Sequence, residues 1–258
     1  MSKVNYLINY LLSERDDLGR IEIPETEQDK FRLYRSLVNI RPAVKADEDF
    51  LQAEDEYLTA LTESKGITDI SDLSPIEGGI FLWKGDITTL KCGAIVNAAN
   101  SGMTGCWQPC HSCIDNCIHT FAGIQLRLAC NELMQKQGHE EGTGFCKITP
   151  AFNLPSRYVL HTVGPIIYTS VGKREKILLA NCYKNCLETA SQNQLESVAF
   201  CCISTGVFRF PADLAAQIAV ETVEKWLAEN PDSSVKKVVF NVFGNKDLEI
   251  YKKVLGQK

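Results

Sequence analysis

The pattern of apolar positions divides the chain into two regions. In residues 1–75, apolar side chains recur near helical spacing in three stretches, and strong strand signals are lacking. From about residue 78, short β-rich runs alternate with longer helical ones. We predict a helical N-terminal extension over residues 1–75, packed as a cap on a domain that spans residues 76–258, with an independent helical bundle as the alternative.

The second region predicts an α/β fold. The predicted strands are residues 80–83, 94–97, 145–149, 158–163, 197–203 and 238–243, and the predicted helices are residues 116–137, 174–192, 211–229 and 246–255. Such alternation is typical of a parallel or mixed sheet with helices on both faces. Ligands bind these sheets in the crevice at the carboxyl ends of the strands, so the residues after each strand are the most informative.

Composition narrows the classes of function. The chain has 27 basic and 32 acidic residues and a formal net charge of −5, without the basic excess of proteins that bind nucleic acid. No apolar run approaches the roughly 18 to 20 residues of a membrane-spanning helix. Eleven cysteines, an odd number in a chain too long to need crosslinks, indicate thiols in a reducing compartment. We expect a cytoplasmic protein with neither nucleic acid nor membrane as a partner.

Three segments that follow predicted strands carry polar groups suited to a ligand. Asp86, after Gly85, directs a carboxylate toward the crevice or caps a helix. Asn97 and Asn100 bring amides that suit sugar hydroxyls, or form turns. The third segment has backbone N–H groups, near a helix N-terminus, that form an anion cradle. Its residues are Ser204, Thr205, Gly206, Val207 and Phe208.

A cysteine-rich segment indicates a metal site. Six of the fifteen residues in 105–119 are Cys or His. Zinc takes thiolate and imidazole ligands, and a site with three protein ligands leaves a fourth position for water or substrate. Asp115 is placed to cap the following helix. Cys117 and His119 are expected to be ordinary buried helix residues, and redox regulation through the cluster is the competing interpretation.

The ordered motifs of the second region resemble those of macrodomains. They are GDIT at residues 85–88, AIVNAAN at 94–100, IDNCIHTFAG at 114–123, YVLHTVGP at 158–165 and ISTGVFRFP at 203–211. The resemblance implies a three-layer α/β/α domain that binds ADP-ribose. The cysteine-rich segment replaces the glycine run of most macrodomains. This departure and the N-terminal extension resemble the zinc-dependent branch of microbial protein-ADP-ribose hydrolases.

The resemblance also implies roles for individual residues. Asp86 would hold the adenine amino group beside the Ile87 N–H, and Asn97 and Asn100 would face the distal ribose. Residues 204–208 would wrap the diphosphate, and Arg209 stands where the family commonly has glycine. Zinc would bind Cys106, His111 and Cys113, with Cys110 competing on spacing alone. Asp115, together with Asn100, would be catalytic. The other seven cysteines are expected to be core thiols; they are Cys92, Cys130, Cys146, Cys182, Cys186, Cys201 and Cys202.

The function implied by the resemblance is zinc-dependent removal of mono-ADP-ribose from protein side chains. Its implied partners are a sirtuin-like ADP-ribosyltransferase and a lipoylated glycine-cleavage H-like carrier protein. One alternative is a non-catalytic ADP-ribose reader with a structural zinc, held by a closed shell of Cys106, Cys110, His111 and Cys113. Another is hydrolysis of a small ADP-ribose ester.

Overall fold

The computed structural model describes residues 2–15, 17 and 21–256. The helices are α1 (Lys3–Ser13), α2 (Glu27–Ile40), α3 (Glu48–Lys65), α4 (Ile114–Ala122), α5 (Ile124–Gln137), α6 (Lys173–Gln192), α7 (Ala212–Glu229) and α8 (Asn245–Val254). The strands are β1 (Thr68–Asp69), β2 (Ile80–Lys84), β3 (Leu90–Lys91), β4 (Ala94–Ala99), β5 (Cys146–Pro150), β6 (Tyr158–Val163), β7 (Ser197–Phe200) and β8 (Lys237–Val242). Residues 1 and 257–258, the outer ends of the two predicted regions, lie outside the described residues.

The extension is helical, as its pattern predicts. Thr26 caps α2 by accepting a hydrogen bond from the N–H of Asp29 (3.1 Å), and Asp47 caps α3 in the same way through Phe50 (2.7 Å). The apolar faces of α1, α2 and α3 enclose a hydrophobic cluster that also contains Ile124, the first residue of α5. The three helices therefore pack directly on the second region. The domain boundary at residue 75 stays a prediction.

The main sheet has six strands in the order β2-β8-β7-β4-β6-β5. All neighbouring strands run parallel except β5, which is antiparallel to β6. The sheet is thus mixed, and its parallel strands place their carboxyl ends at one edge, where ligands of such sheets bind. The short strands β1 and β3, not predicted from the pattern, pair in a separate two-stranded sheet.

Helices cover both faces of the main sheet. On one face, Tyr183 of α6 packs on Phe200 with ring centroids 4.9 Å apart, and Tyr251 of α8 packs on Phe240 at 5.2 Å. Along β4 and β6, successive side chains point to opposite faces of the sheet, so every second one points to the face opposite α6 and α8. There His161 of β6 contacts Cys130 of α5, with 3.7 Å between Nε2 and Sγ. The predicted three-layer α/β/α arrangement is therefore confirmed.

Two predicted elements have different limits. The predicted helix 116–137 is two helices, because Gly123 between them has φ 90° and a Cβ there would lie 2.7 Å from Oε2 of Glu54. The same Glu54 oxygen accepts a hydrogen bond from the N–H of Ile124 (2.9 Å), which starts α5. The predicted strand 197–203 ends at Phe200, and the residues beyond it belong to the loop that leads to α7.

Five of the seven cysteines expected in the core are buried, whereas Cys146 and Cys202 are half-buried. These two thiols still pack against the main core cluster, Cys146 from the edge strand β5 and Cys202 from the loop after β7. All eleven cysteines are free thiols. Among the described residues, every helix is too short or too polar to cross a bilayer.

Candidate active site and metal centre

A buried carboxylate occupies the start of α4. Asp115 is only 5% exposed, its Oδ1 accepts a hydrogen bond from Nδ2 of Asn97 (2.8 Å), and its Oδ2 accepts one from Nδ2 of Asn100 (3.2 Å). Both asparagines come from the carboxyl end of β4. The strand end and the helix start therefore hold one acid in a fixed position.

The expected helix-capping role of Asp115 is wrong. The N-cap residue is Cys113, whose sulfur accepts from the N–H of Asn116 (3.4 Å). Because α4 begins at Ile114, Asp115 already lies inside its first turn, and its oxygens are available to the two asparagines. A carboxylate in the first turn is still favoured by the helix dipole.

The surroundings of Asp115 raise the pKa of its carboxyl group. Burial raises the pKa of Asp115 to about 6, against the opposing effect of Asn97, Arg127 and Asn100. Nε2 of His119 is 3.6 Å from Oδ1 of Asp115, but burial holds the pKa of His119 well below its usual value. His119 is consequently neutral, and the contact is not an ion pair. A carboxyl group with a raised pKa in a crevice is suited to general acid–base chemistry.

Asn97 and Asn100 have different surroundings. Asn97 is fully buried, so its amide reaches Asp115 and Nδ1 of His161 (3.2 Å) from beneath the site. Asn100 is half-buried, and its Nδ2 also donates to the carbonyl of Gly105 (3.1 Å), where the cysteine-rich segment begins. Asn100 thus connects the carboxylate to that segment.

The structure brings together Cys106, His111 and Cys113. Their ligand atoms all lie within 4.8 Å of one another, and Sγ of Cys106 is 3.5 Å from Nδ1 of His111. All three residues are half-buried. Two thiols and one imidazole form a donor set that suits zinc, and three protein ligands leave a fourth position open. The residues therefore fit the zinc that the motifs imply.

Cys110 points away from this group. It has φ 54°, its thiol donates to the carbonyl of Arg32 (3.3 Å), and its N–H donates to Oδ1 of Asn39 (2.9 Å), so both groups face α2. Cys117 lies on α4, with its sulfur 3.5 Å from Nη2 of Arg35. Within the described part of the chain, neither thiol belongs to the group formed by Cys106, His111 and Cys113. This arrangement disfavours the closed four-ligand shell.

The loop after β7 provides unused backbone donors. Ser204 and Arg209 have φ values of 65° and 60°, which turn the chain sharply on either side of residues 205–208. A positive φ at residue 209 explains why glycine suits that position. The N–H groups of Gly206, Val207 and Phe208 donate to no acceptor in the part of the chain that the structure describes. Gly206 and Val207 are exposed, so these donors fit the predicted anion cradle.

Ser204 and Thr205 contribute less to that cradle. Ser204 is buried, and a Cβ on Gly164 would collide with its hydroxyl oxygen, so the loop packs tightly on the segment after β6. The hydroxyl of Thr205 donates to the carbonyl of Cys202 (3.0 Å). Both side chains therefore shape the loop and leave the exposed N–H groups to a ligand.

Asp86 both caps a short helix and faces a cation. Its Oδ1 accepts from the N–H (3.0 Å) and hydroxyl (2.6 Å) of Thr88 at the start of the 3₁₀ helix Ile87–Thr89, as its capping alternative predicts. Its Oδ2 lies 3.0 Å from Nζ of Lys65, at the end of α3. Burial alone would raise the pKa of Asp86, but Thr88 and Lys65 outweigh it and hold the pKa below its usual value. Asp86 is an ionised acceptor beside β2, and Ile87 is buried behind it.

Two comparisons with known proteins identify the family. Residues 96–219 match the family described as Macro domain. A protein of Treponema medium named protein-ADP-ribose hydrolase is 57% identical over 254 residues, which cover 97% of this chain and 97% of that protein. The chain belongs to the Macro domain family. The resemblance read from the five motifs is therefore confirmed.

Two further proteins extend this comparison. The structure of a Trypanosoma brucei macrodomain in complex with ADP-ribose is similar to this one, with a TM-score of 0.66 and 28% identity over 90% of this chain and 97% of that chain. A probable bifunctional ADP-ribose hydrolase/ADP-ribosyltransferase of Fusarium oxysporum f. sp. cubense is 43% identical over 245 residues. That match covers 88% of this chain and 41% of the Fusarium protein.

A second Cys/His group lies in the core of this macrodomain. The ligand atoms of His119, Cys130 and His161 also fall within 4.8 Å of one another, but all three residues are buried. Nδ1 of His161 accepts from the amide of Asn97, and burial lowers the pKa of His161 to about 3. The neutral ring therefore carries its proton on Nε2, which faces the hydroxyl of Thr149 (2.9 Å). That nitrogen has no free lone pair for a metal, so this group is better described as a polar core beneath Asp115.

The sequence patterns missed Lys65 and Phe243, which lie next to Asp86 and to the end of β8, respectively. Lys65 pairs with Asp86 from the far end of the extension. Phe243 directly follows β8, the neighbour of β2 in the sheet, and its side chain is 78% exposed. An aromatic residue straight after an apolar strand was the available signal for Phe243, but the strand prediction for 238–243 included it. Val242, the residue before Phe243, pairs with Lys84 at the end of β2, so the exposed ring follows the end of the strand next to β2.

Proposed function

We propose that this macrodomain hydrolyses the bond between ADP-ribose and a modified protein side chain. One observation carries the proposal. Asn100 donates both to the buried carboxylate of Asp115 and to the carbonyl of Gly105, which precedes the first candidate metal ligand. Asn100 therefore connects an acid with a raised pKa to the group of three candidate metal ligands. Both lie at the edge of the sheet where ligands are expected to bind. The name of the Treponema medium relative, protein-ADP-ribose hydrolase, supports the same reaction.

The expected pose of ADP-ribose follows the edge of the sheet. The adenine would lie between the Asp86 carboxylate and the Phe243 ring, with its amino group donating to Asp86 and with the Ile87 N–H beside it. The diphosphate would accept from the N–H groups of residues 206–208. The distal ribose would then reach Asn100, above Asp115. The ADP-ribose complex of the Trypanosoma brucei macrodomain supports binding of this ligand by the fold.

The bond to be broken joins C1″ of the distal ribose to the side chain. Water adds across it, so that the hydroxyl goes to C1″ and the hydrogen to the released side chain. Asp115 would orient the water and accept its proton, while Asn97 and Asn100 keep the carboxylate in place. Cys106, His111 and Cys113 would hold the zinc, which when bound polarises an oxygen ligand and lowers the pKa of bound water toward about 7.

The proposed partners are a mono-ADP-ribosylated protein, such as a lipoylated glycine-cleavage H-like carrier, and a sirtuin-like transferase that modifies it. The name of the Fusarium relative, which combines a hydrolase with an ADP-ribosyltransferase, supports a functional pairing of the two activities. The unpaired thiols fit a cytoplasmic location, which is part of the proposal.

The deciding experiment is incubation of the protein with a mono-ADP-ribosylated protein, with and without a zinc chelator. We expect a loss of mass that corresponds to one ADP-ribose, and we expect the chelator to prevent it. A parallel incubation with a small ADP-ribose ester tests the alternative substrate. Binding of the modified protein without any release would instead establish a reader. Full turnover in chelated, metal-free protein would contradict the zinc dependence.

A further inference from the structure

The three candidate ligands lie on or next to a segment without regular structure. Residues 105–113 form neither helix nor strand, yet Cys106, His111 and Cys113 meet within 4.8 Å. An irregular segment can hold ligands in one geometry only if other groups fix its backbone. Side chains from α2 and α4 bond to the segment at each ligand.

Arg35, on α2 of the helical extension, bonds to the segment at His111. Its Nη2 donates to the carbonyl of His111 (2.7 Å), and its Nε and Nη2 donate to Oδ1 of Asn116 (3.1 and 2.8 Å). Arg35 is half-buried, which reduces the competition from water for these bonds. The planar guanidinium can bond two acceptors at once in a fixed geometry, which lysine cannot reproduce.

Asn116, which is fully buried on α4, reaches the other two ligands. Its Nδ2 donates to the carbonyls of Gln108 (2.9 Å) and Cys106 (3.5 Å). Its backbone N–H donates to Sγ of Cys113 (3.4 Å). Together, Arg35 and Asn116 therefore contact the backbone or the sulfur of Cys106, His111 and Cys113.

We infer that Arg35 is a positioning residue of the metal centre: through His111 and Asn116 it holds the three ligands in their binding geometry, so that the helical extension is part of the site. This inference rests on the zinc site in the proposed function. The same helix also holds Cys110 away from the ligands, through the carbonyl of Arg32 and the side chain of Asn39. The extension thus determines both which thiols converge and which one does not.

The test compares zinc affinities, measured by competition with a chromophoric chelator. The variants are Arg35→Ala, Arg35→Lys and the control Arg41→Ala. Arg41 lies just after α2 and bonds to Glu14 (2.7 Å) and to the carbonyl of Val44 (2.7 Å), without contact to residues 105–113. Arg41→Ala therefore removes hydrogen bonds within the extension and keeps the hydrogen bonds from Arg35 and Asn116 to residues 105–113. Circular dichroism of the metal-free proteins checks that each variant folds.

Removing a group that orients metal ligands typically costs 10- to 100-fold in metal affinity. We expect Arg35→Ala to bind zinc at least about tenfold more weakly, Arg35→Lys to fall between it and the wild type, and Arg41→Ala to match the wild type. If Arg35→Ala does not fold, Arg35→Lys decides: a loss of zinc affinity of more than about twofold supports the inference, and a smaller change overturns it.

Three results would overturn the inference. Zinc affinity within about twofold of the wild type in both Arg35 variants would remove the role of Arg35 and leave the proposed hydrolase intact. An equal loss in Arg41→Ala would assign the effect to general loosening of the extension. A wild-type protein that binds no zinc would overturn both the inference and the zinc dependence of the proposed function, which distinguishes that failure from the other two.

Discussion

The amide of Asn97 donates a 2.8 Å hydrogen bond to Oδ1 of Asp115, from a position that is fully buried. Asn97 therefore acts on the carboxylate from beneath, while the half-buried Asn100 bonds to the other oxygen of the same carboxylate. This relationship separates two asparagines that the sequence motif presents as equivalent. It also predicts different roles for the two residues in the proposed reaction.

We expect Asn97→Leu to lower kcat on a mono-ADP-ribosylated protein by about 10- to 100-fold, with little change in KM. The reason is that Asp115 would lose its shortest hydrogen bond, and a charge-assisted bond contributes about 1.5–3 kcal/mol. Ser101→Ala, a change at a neighbouring side chain that bonds to Glu140, is the control and should leave kcat unchanged. A kcat for Asn97→Leu within twofold of the wild type would contradict the positioning role.

Cys113→Ala should abolish both zinc binding and turnover, because two protein ligands would remain. ADP-ribose affinity should stay within about tenfold, or ~1.4 kcal/mol, since the proposed adenine and diphosphate contacts lie elsewhere. Metal analysis and calorimetry measure the two effects. The matched control is Cys110→Ala, which removes the thiol that faces Arg32 and should keep both zinc and turnover. Loss of zinc in Cys110→Ala would favour the four-ligand reader.

The sheet and the motif-bearing segments were predictable because they depend on local periodicity and on residues next to one another in sequence. The contact of Asp115 with the two asparagines was not predicted from the sequence, and its capping role was wrong because α4 begins one residue before it. A one-residue offset at a helix start changes which side chain caps, and periodicity does not determine helix ends that closely.

Other features depend on contacts between distant parts of the chain. Lys65 meets Asp86 across 21 positions, and Arg35 meets His111 across 76. The spacing of apolar residues shows which face of a helix or strand is buried. It does not show which residue on another element a polar side chain contacts. The orientation of Cys110 follows from its positive φ and from its bonds to α2, neither of which spacing reveals.

We expect Asp86→Asn to weaken ADP-ribose binding by about 10- to 100-fold, because the adenine amino group would lose a charged acceptor worth about 1.5–3 kcal/mol. Asparagine still caps the 3₁₀ helix, so the local fold should persist. Calorimetry with ADP-ribose and with its hypoxanthine analogue isolates the contact. The analogue lacks the amino group, so the substitution should affect it much less. An equal loss for both ligands would place the adenine elsewhere.

Glu54 is fully buried between Tyr34 and the N-terminus of α5, and burial raises its pKa to about 7 from 4.5. The folded state therefore binds the proton more tightly than the unfolded chain does. The free energy of unfolding of the wild type therefore falls as the pH rises from about 4.5 to 7. Above that range the loss has reached its full value of up to about 3 kcal/mol, which is the cost of ionising the buried Glu54. We expect the unfolding free energy of Glu54→Gln, relative to the wild type, to increase between pH 5 and pH 8.

Urea unfolding at a series of pH values measures this difference, and subtraction of the wild-type curve removes the contributions of the other titrating groups. Glu56→Gln is the control on the same helix, because the Glu56 side chain is 45% exposed and pairs with Lys3 at the surface. That variant should follow the wild type across the pH range. A constant difference between Glu54→Gln and the wild type would mean that Glu54 is ionised throughout, held by Tyr34 and the N–H of Ile124 despite its burial.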